Sequence, residues 1–292
     1  MSTVIIINPI SGGVSPRAAR ARAQLALAVV DAHGDPAEVL MTEAVGHARE
    51  LAKSAVRRGA RLVMAWGGDG TISEVASALA FDEVPLGIIP AGSGNGLARE
   101  LGVSLRPERA IADALQAVPR PMDLGELDGH LFANIAGIGF DAHIASRFAT
   151  ATRRGFIGYA GITARALTSY VPQRYRVTTG GVETAHRAIL VTIANSAQFG
   201  NNARIAPGAR VDDGELDLVV MEERSRFGTL CRMPRLFNGT VGRVPGCTIR
   251  RIREATIEAD APMTYHVDGE PMAGGTKLRA RIHPGALMVA VR

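Results

Sequence analysis

Short apolar runs alternate with amphipathic stretches through the front of the chain. Val4 to Ile7 is uninterrupted and reads as a buried strand, and Glu38 to Met41, Arg61 to Trp66 and Pro85 to Ile89 repeat the pattern. Between these runs the apolar positions fall at helical spacing. Pro16 opens a helix to about Val30, in the place where a missing N–H does no harm. Ala48, Leu51, Ala52, Ala55 and Val56 share one face of the next helix, which Gly59 ends. Ile72, Val75, Ala76, Leu79 and Ala80 form the stripe of a third, and stretches from about Asn95 to Leu101 and Pro107 to Val118 predict two more. Strand–helix repeats of this kind predict an α/β fold. Its doubly wound parallel sheet is covered on both faces and binds ligands at the carboxyl ends of the strands.

The pattern changes near Pro119-Arg120-Pro121. Beyond it come strand-like runs bounded by turn signals: Leu131 to Ile135, Arg174 to Thr178, Ile189 to Ala194, Leu216 to Met221, Thr248 to Ile257, Tyr265 to Val267 and Leu278 to Ile282. A helix is expected from about Ile157 to Tyr170, and a second from Phe227 to Phe237. Many short strands predict an antiparallel β-sandwich. The expected organisation is a nucleotide-binding α/β domain over residues 1–122 and a β-rich domain over residues 123–292, whose last strand is free to return to the first domain.

Each predicted strand of the front domain ends in a polar turn. Asn8-Pro9-Ile10-Ser11-Gly12-Gly13 follows the first and Thr42 the second; Gly67-Gly68-Asp69-Gly70-Thr71 follows the third and Pro90-Ala91-Gly92-Ser93-Gly94-Asn95 the fourth. In a parallel sheet these turns share one edge, so one ligand could touch all of them. Glycines let backbone approach that ligand closely, and the helix after Gly70 offers unpaired N–H groups, which suits phosphate. Asp69 inside such an anion cradle needs a metal or a proton transfer to offset its charge. A plain strand–helix connection is the alternative. No Gly-x-x-x-x-Gly-Lys-Ser/Thr loop and no Gly-x-Ser-x-Gly elbow occurs. Gly92 to Gly96 has the wrong spacing for a dinucleotide fingerprint, and the histidines lack zinc spacing.

Composition narrows the partners. The 292 residues are 47% hydrophobic but only 4% aromatic, so the core must be aliphatic. The formal charge is +5 and the pI about 9.7, carried by arginine, since Lys53 and Lys277 are the only lysines. This favours anionic partners such as nucleotide phosphates or an acidic membrane face. Scattered arginines without interleaved aromatics argue against nucleic acid. Cys231 and Cys247 form no disulfide framework, which suits a reducing cytoplasm. No apolar segment is long enough to span a membrane, and the amino terminus lacks a leader's charged region, so a chain peripheral at most to the membrane is expected.

Taken in order, Asn-Pro-x-Ser-Gly-Gly, Gly-Gly-Asp-Gly-Thr and Pro-x-Gly-Ser-Gly-Asn resemble the lipid kinases of the diacylglycerol kinase and sphingosine kinase superfamily. The resemblance continues at Asp123-Leu124-Gly125, at Asn134 to Ala142, at Pro207 to Gly214 and at Asp268-Gly269-Glu270, covering nearly the whole chain. It implies that Gly67, Gly68, Asp69, Gly70 and Thr71 hold the ATP phosphates, with Asn8, Thr42, Ser93 and Asn95 as further nucleotide contacts. It implies Glu270 as general base, Asp123 as an acid near the catalytic centre and Asp141 as a contact for the lipid's polar head. For Mg2+ it points to the Asp213 carboxylate and the carbonyls of Arg210 and Glu215. Each acid also has a plainer reading: a hairpin turn at Asp268-Gly269 with Glu270 solvated, a structural loop at Asp212-Asp213-Gly214, a strand-end acid at Asp123 and a helix cap at Asp141.

Phosphoryl transfer asks for positioning, neutralised phosphate charge and a base near the attacking hydroxyl, and the chain offers hard oxygen ligands for magnesium. The expected function is an ATP- and Mg2+-dependent lipid kinase, cytoplasmic and in transient contact with the inner membrane face, whose lipid alcohol enters between the domains. Phe148, Phe156, Ile157, Tyr159 and Leu167, beside Arg147, Arg153, Arg154 and Arg165, are candidates for an apolar slot with a basic rim, a simple inter-domain helix with a solvated arginine face being the alternative. An NAD kinase-like enzyme and a non-catalytic nucleotide- or lipid-binding module are the alternatives. A homodimer is left open, as is the identity of the lipid.

Overall fold

The computed structural model describes residues 2–13, 16–149, 166, 169–200, 203–223 and 234–292. The chain forms two compact units, Met1–Met122 with Gly285–Arg292, and Asp123–Pro284.

In the first unit, β1 (Thr3–Ile7), β2 (Ala37–Met41), β3 (Leu62–Gly67) and β4 (Leu86–Pro90) pair in the order β2-β1-β3-β4, all parallel. The chain's end joins the far edge, where Val289 lies parallel to Leu86. Between the strands run α1 (Pro16–Ala32), α2 (His47–Arg57) and α3 (Asp69–Leu79); α4 (Gly96–Glu100) and α5 (Pro107–Gln116) follow β4. Ile5, Ile7, Met64, Trp66 and Ile89 form one core with Ala26 and Val30 of α1 and Ala110, Ile111 and Ala114 of α5. The alternate positions, Ile6, Val63 and Ala65, are equally buried and face the other side, against α2 and α3. Burial on both faces is why these strands read as unbroken apolar runs. The winding direction reverses between β1 and β3, the crevice in which such sheets bind ligands.

The second unit is antiparallel. Its strands are β5 (Arg120–Leu127), β6 (His130–Phe132), β7 (Ile135–Gly139), β8 (Gln173–Thr179), β9 (Val182–Ala194), β10 (Gln198–Gly200), β11 (Ala203–Arg204), β12 (Leu216–Glu222), β13 (Cys247–Ile252), β14 (Glu254–Ala259), β15 (Thr264–Val267), β16 (Glu270–Ala273) and β17 (Lys277–Val289). They pair in the order β16-β15-β7-β9-β8-β14-β17, with β12 between β9 and β13, and β5 on β6 and β17. The helix α6 (Phe140–Ala149) packs on β7, β15 and β16. Ile138, Tyr175, Val191, Leu218, Ile257 and Tyr265 belong to one buried cluster, while Ile135, Ile205, Val219 and Val241 form another.

Several elements differ from expectation, each for a visible reason. The run Leu131 to Ile135 is two strands, because Ala133, Asn134 and Ile135 give their N–H groups to the Asp268 carboxylate rather than to a ladder. Thr248 to Ile257 also splits, since the chain changes partners at Arg253, from β12 to β8 and β17. The last strand continues past the turn-like Pro284-Gly285 to Val289, and α6 follows Gly139 with no intervening loop. The α6 helix and β5 were not expected. Of the helix expected at Ile157–Tyr170 only Ala166, Ser169 and Tyr170 fall among the described residues, and of the Phe227–Phe237 stretch only a short helix, Pro234–Phe237. The apolar-slot residues Phe156, Ile157, Tyr159 and Leu167, with Arg153, Arg154 and Arg165, lie outside the described residues, as does the side chain of Phe148.

Candidate active site

The polar turns of the first unit are knitted together. Asn8, after β1, donates from Nδ2 to Thr71 Oγ1 at 3.0 Å, joining the turns that flank the reversal point. Ala91 N–H donates to the Gly67 carbonyl at 2.8 Å, and Gly96 N–H to Asp69 Oδ1 at 2.6 Å, so the third and fourth turns close on each other. Asn95 has a left-handed backbone, φ 49°, and its side chain folds back, accepting from Gly92 N–H at 2.8 Å and donating to the Gly92 carbonyl at 2.9 Å. Thr42 and Asn95 are buried; Ser93 and Gly70 are exposed.

Gly68 is the N-cap of α3 and makes no side-chain cap hydrogen bond. A helix start without a side-chain cap presents N–H groups and a dipole end of the kind that binds an anion. A Cβ on Gly70 would meet nothing within 4 Å, so the helix start opens to space rather than to packed protein. These are the features a phosphate chain needs. The Asp69 charge is met in part by the Gly96 N–H at the start of α4, and not by a metal or a proton alone.

Sequence reasoning overlooked Arg22. From α1 its guanidinium donates to Ser11 Oγ at 2.8 Å, to the Ser11 carbonyl at 3.0 Å and to the Asn8 carbonyl at 3.3 Å, with its carbon 5.8 Å from the Trp66 ring centroid. Partial burial lowers its pKa from the ordinary arginine value. It fixes the first turn and places a fixed cation there. Its only signal in sequence is an arginine two helical turns into α1.

The second unit gathers two groups of acids. Asp123 on β5 is buried; its Oδ2 accepts the Gly214 N–H at 2.7 Å, while its own N–H donates to the Val211 carbonyl at 2.7 Å. It thus closes the Val211–Gly214 loop. Just after that loop Glu215 N–H donates to Asp213 Oδ1 at 3.2 Å, and Arg251 Nη1 lies 3.9 Å from Asp213 Oδ2 and 3.5 Å from Glu215 Oε2. Arg210 pairs with Asp212 at 3.2 Å. Among the described residues no three His, Cys, Asp or Glu side chains gather to hold a metal. A magnesium ion at this loop would use one carboxylate, backbone carbonyls and water, a hard-oxygen set of the kind it prefers.

The other group surrounds the Asp268-Gly269-Glu270 hairpin. Positive φ at Asp268 (47°) and Gly269 (87°), with Val267 opposite Glu270, makes this a two-residue type I′ turn. Asp268 accepts N–H groups from Ala133, Asn134 and Ile135 at 2.8–3.1 Å. Glu270 is exposed, and its side chain makes no ion pair or hydrogen bond among the described residues, while its backbone pairs with Val267. Asp141 on α6 is buried, not free: Oδ2 lies 3.3 Å from the donating Thr192 Oγ1 and 3.1 Å from His266 Nε2, the latter too far off line for a directed hydrogen bond. His266, also overlooked, is buried and accepts the Gly269 N–H on Nδ1 at 3.2 Å. Burial disfavours the charged ring, but the carboxylates of Asp141 and Asp268 outweigh it and raise the pKa above the usual histidine value. The Gly269 N–H opposes them, because it bonds only to an unprotonated Nδ1. The sequence showed His266 merely as one polar position in a strand.

Residues 2–127 match the diacylglycerol kinase catalytic domain, and residues 134–291 match the YegS C-terminal NAD kinase beta sandwich-like domain. A protein of Pseudomonas aeruginosa named probable lipid kinase YegS-like is 34% identical over 251 residues, 84% of this chain and 81% of that protein. A protein of Mycobacterium tuberculosis named diacylglycerol kinase is 31% identical over 277 residues, 91% of this chain and 87% of that protein. The crystal structure of a putative diacylglycerol kinase from Bacillus anthracis shares the fold, with a TM-score of 0.84 at 20% identity, over 100% of this chain and 95% of that one. The chain therefore belongs to the lipid kinase family that joins a diacylglycerol kinase catalytic domain to a YegS-type C-terminal domain.

Proposed function

We propose that this kinase transfers the γ-phosphate of ATP to the hydroxyl of a lipid alcohol, such as diacylglycerol or a sphingoid base. The observation that carries the reading is the uncapped start of α3 at Gly68-Asp69-Gly70, held against the turns after β1 and β4. There Gly67, Gly68, Gly70 and Thr71 would bind the phosphates, with Asn8, Thr42, Ser93 and Asn95 fixing the nucleotide. Magnesium neutralises phosphate charge in such transfers, and the Asp213 carboxylate with the carbonyls of Arg210 and Glu215 would hold it. Glu270, whose exposed side chain has no partner among the described residues, takes the proton from the lipid hydroxyl. That oxygen bonds to the γ-phosphorus as the bond to the β–γ bridging oxygen breaks, and ADP leaves. Asp123 would act near this centre, and Asp141 would contact the lipid's polar head, as the likeness to the family implies. The basic surface, with pI about 9.7, suits a cytoplasmic enzyme working at the anionic inner membrane face.

The test is a labelled-ATP assay against diacylglycerol, sphingoid bases, other acylated glycerols and NAD, run on wild type and Glu270→Gln. Label should pass to a lipid, and Glu270→Gln should lower kcat by about 10²-fold or more while leaving nucleotide affinity intact. Label passing to NAD and to no lipid would replace this reading with the NAD kinase-like one, and label passing to nothing would leave a binding module.

A further inference from the structure

His266, Gly137 and Thr192 form one row across three strands. Gly137 of β7 is the register partner of both His266 on β15 and Thr192 on β9. The glycine is what makes room. A Cβ at Gly137 would lie 2.1 Å from Asp141 Oδ2 and 2.5 Å from His266 Nε2. Into that space α6 lowers the Asp141 carboxylate, which contacts the ring and the threonine hydroxyl together. His266 and Asp141 are 4% and 7% exposed, so water screens the pair little.

The other nitrogen of the ring has a separate task. Nδ1 accepts the N–H of Gly269, the second central residue of the turn, while the first, Asp268, is tied to Ala133, Asn134 and Ile135. Accepting at Nδ1 leaves the ring's proton on Nε2, on the side of Asp141, whose carboxylate lies 3.1 Å away but off the line of a directed bond. Both central residues of the hairpin are therefore anchored, and Glu270 is the next residue along. A two-residue turn has no slack: rotating either peptide re-aims the side chain that follows.

We infer that His266 is a positioning residue for the transfer reaction, fixing the hairpin so that Glu270 keeps its aim and coupling it to Asp141. The inference rests on the reading of Glu270 as general base. His266 touches no reacting atom; it acts through the Gly269 peptide. Asp141 packs against the imidazole at 3.1 Å, the imidazole accepts the Gly269 N–H, and Gly269 sets the direction of Glu270. A head group drawn to Asp141 would in this way be sensed at the base two contacts away.

The side-chain amides separate the two contacts. His266→Asn keeps an acceptor near the Nδ1 position, and His266→Gln keeps a donor near the Nε2 position. With the full chain and the lipid found in the assay above, His266→Ala should lower kcat about 10- to 100-fold, the cost of a misplaced group, with the KM for ATP unchanged because the nucleotide contacts lie in the other unit. His266→Asn should recover to within about threefold of wild type and His266→Gln should not. Added to Glu270→Gln, His266→Ala should cost almost nothing more, since its route is already cut.

An alanine variant within about threefold of wild type, recovery by glutamine equal to that by asparagine, or a full additional loss in the double variant would each overturn the inference. Should His266→Ala fail to fold, the asparagine–glutamine comparison still decides it. Full activity in Glu270→Gln alone overturns the reading of the base instead. Hydrogen exchange at the Gly269 amide then judges the anchor by itself: faster exchange in His266→Gln than in His266→Asn supports it, and equal exchange removes it.

Discussion

Gly68 and Gly92 lie back to back: a Cβ on Gly92 would come within 2.7 Å of the Gly68 Cα and 3.6 Å of the Asp69 nitrogen. The third and fourth turns, proposed to face the phosphates, are thus in backbone contact, and the obstacle to any side chain is itself backbone. Gly92→Ala must push the third and fourth turns apart, lengthening the 2.6 Å Gly96–Asp69 bond. The expected cost is about 1–3 kcal/mol of stability, the usual penalty of overpacking, with ATP affinity reduced by about tenfold. Gly70→Ala is the control, because its Cβ meets nothing; its stability should stay within about 0.5 kcal/mol of wild type. Thermal unfolding and ATP titration check both. A Gly92→Ala protein that melts and binds ATP like wild type would show that the turns are not in register.

The parallel half of the fold was legible because its physics is local. Strands buried on both faces are continuous apolar runs, helices between them carry one apolar stripe, and Pro16 and Gly59 mark ends by their own backbone chemistry. The polar turns followed from that reading, since a parallel sheet puts them on one edge. What sequence could not show is contact at long range. Asp268 is bonded to residues more than 130 positions away, and this alone splits the run at Leu131 to Ile135. His266 gains its surroundings only when β15 pairs with β7 and α6 descends on Gly137. Asp141, read as a lipid contact, has buried protein partners that no spacing rule predicts. Arg22 is similar, one arginine among many until Trp66 and Ser11 are placed beside it.

Asp268 carries a structural load separable from catalysis. Its carboxylate is the acceptor for three successive backbone donors, at 2.8, 2.9 and 3.1 Å. Removing it leaves those N–H groups without their acceptor, so Asp268→Ala should destabilise the protein by about 2–3 kcal/mol, even with water replacing part of the loss. Asp268→Asn keeps one acceptor oxygen and should cost roughly half as much. Chemical denaturation with matched slopes is the appropriate measurement. An alanine variant as stable as wild type would mean that the carboxylate does not anchor the hairpin, and the tie between Glu270 and β7 would have to be redrawn.

Glu126 supplies a pH-dependent contribution whose sign follows from its partners. Burial alone would raise its pKa, but Arg281, at 2.8 and 3.0 Å, and His283, at 2.7 Å, bond to the same carboxylate oxygen and lower it from 4.5. A carboxyl group more acidic in the folded than in the unfolded chain stabilises the fold above the unfolded value and loses that effect as pH falls through the native one. The stabilisation is therefore complete at neutral pH and fades below about pH 4.5. Glu126→Gln removes this contribution at every pH. Since other acids titrate in the same range, the quantity to follow is the difference in Tm between wild type and variant, measured from about pH 6 to about pH 3. It should be largest at the upper end and shrink steadily toward the lower. A difference that stays constant, or widens in acid, would mean that Arg281 and His283 do not hold the carboxylate ionised.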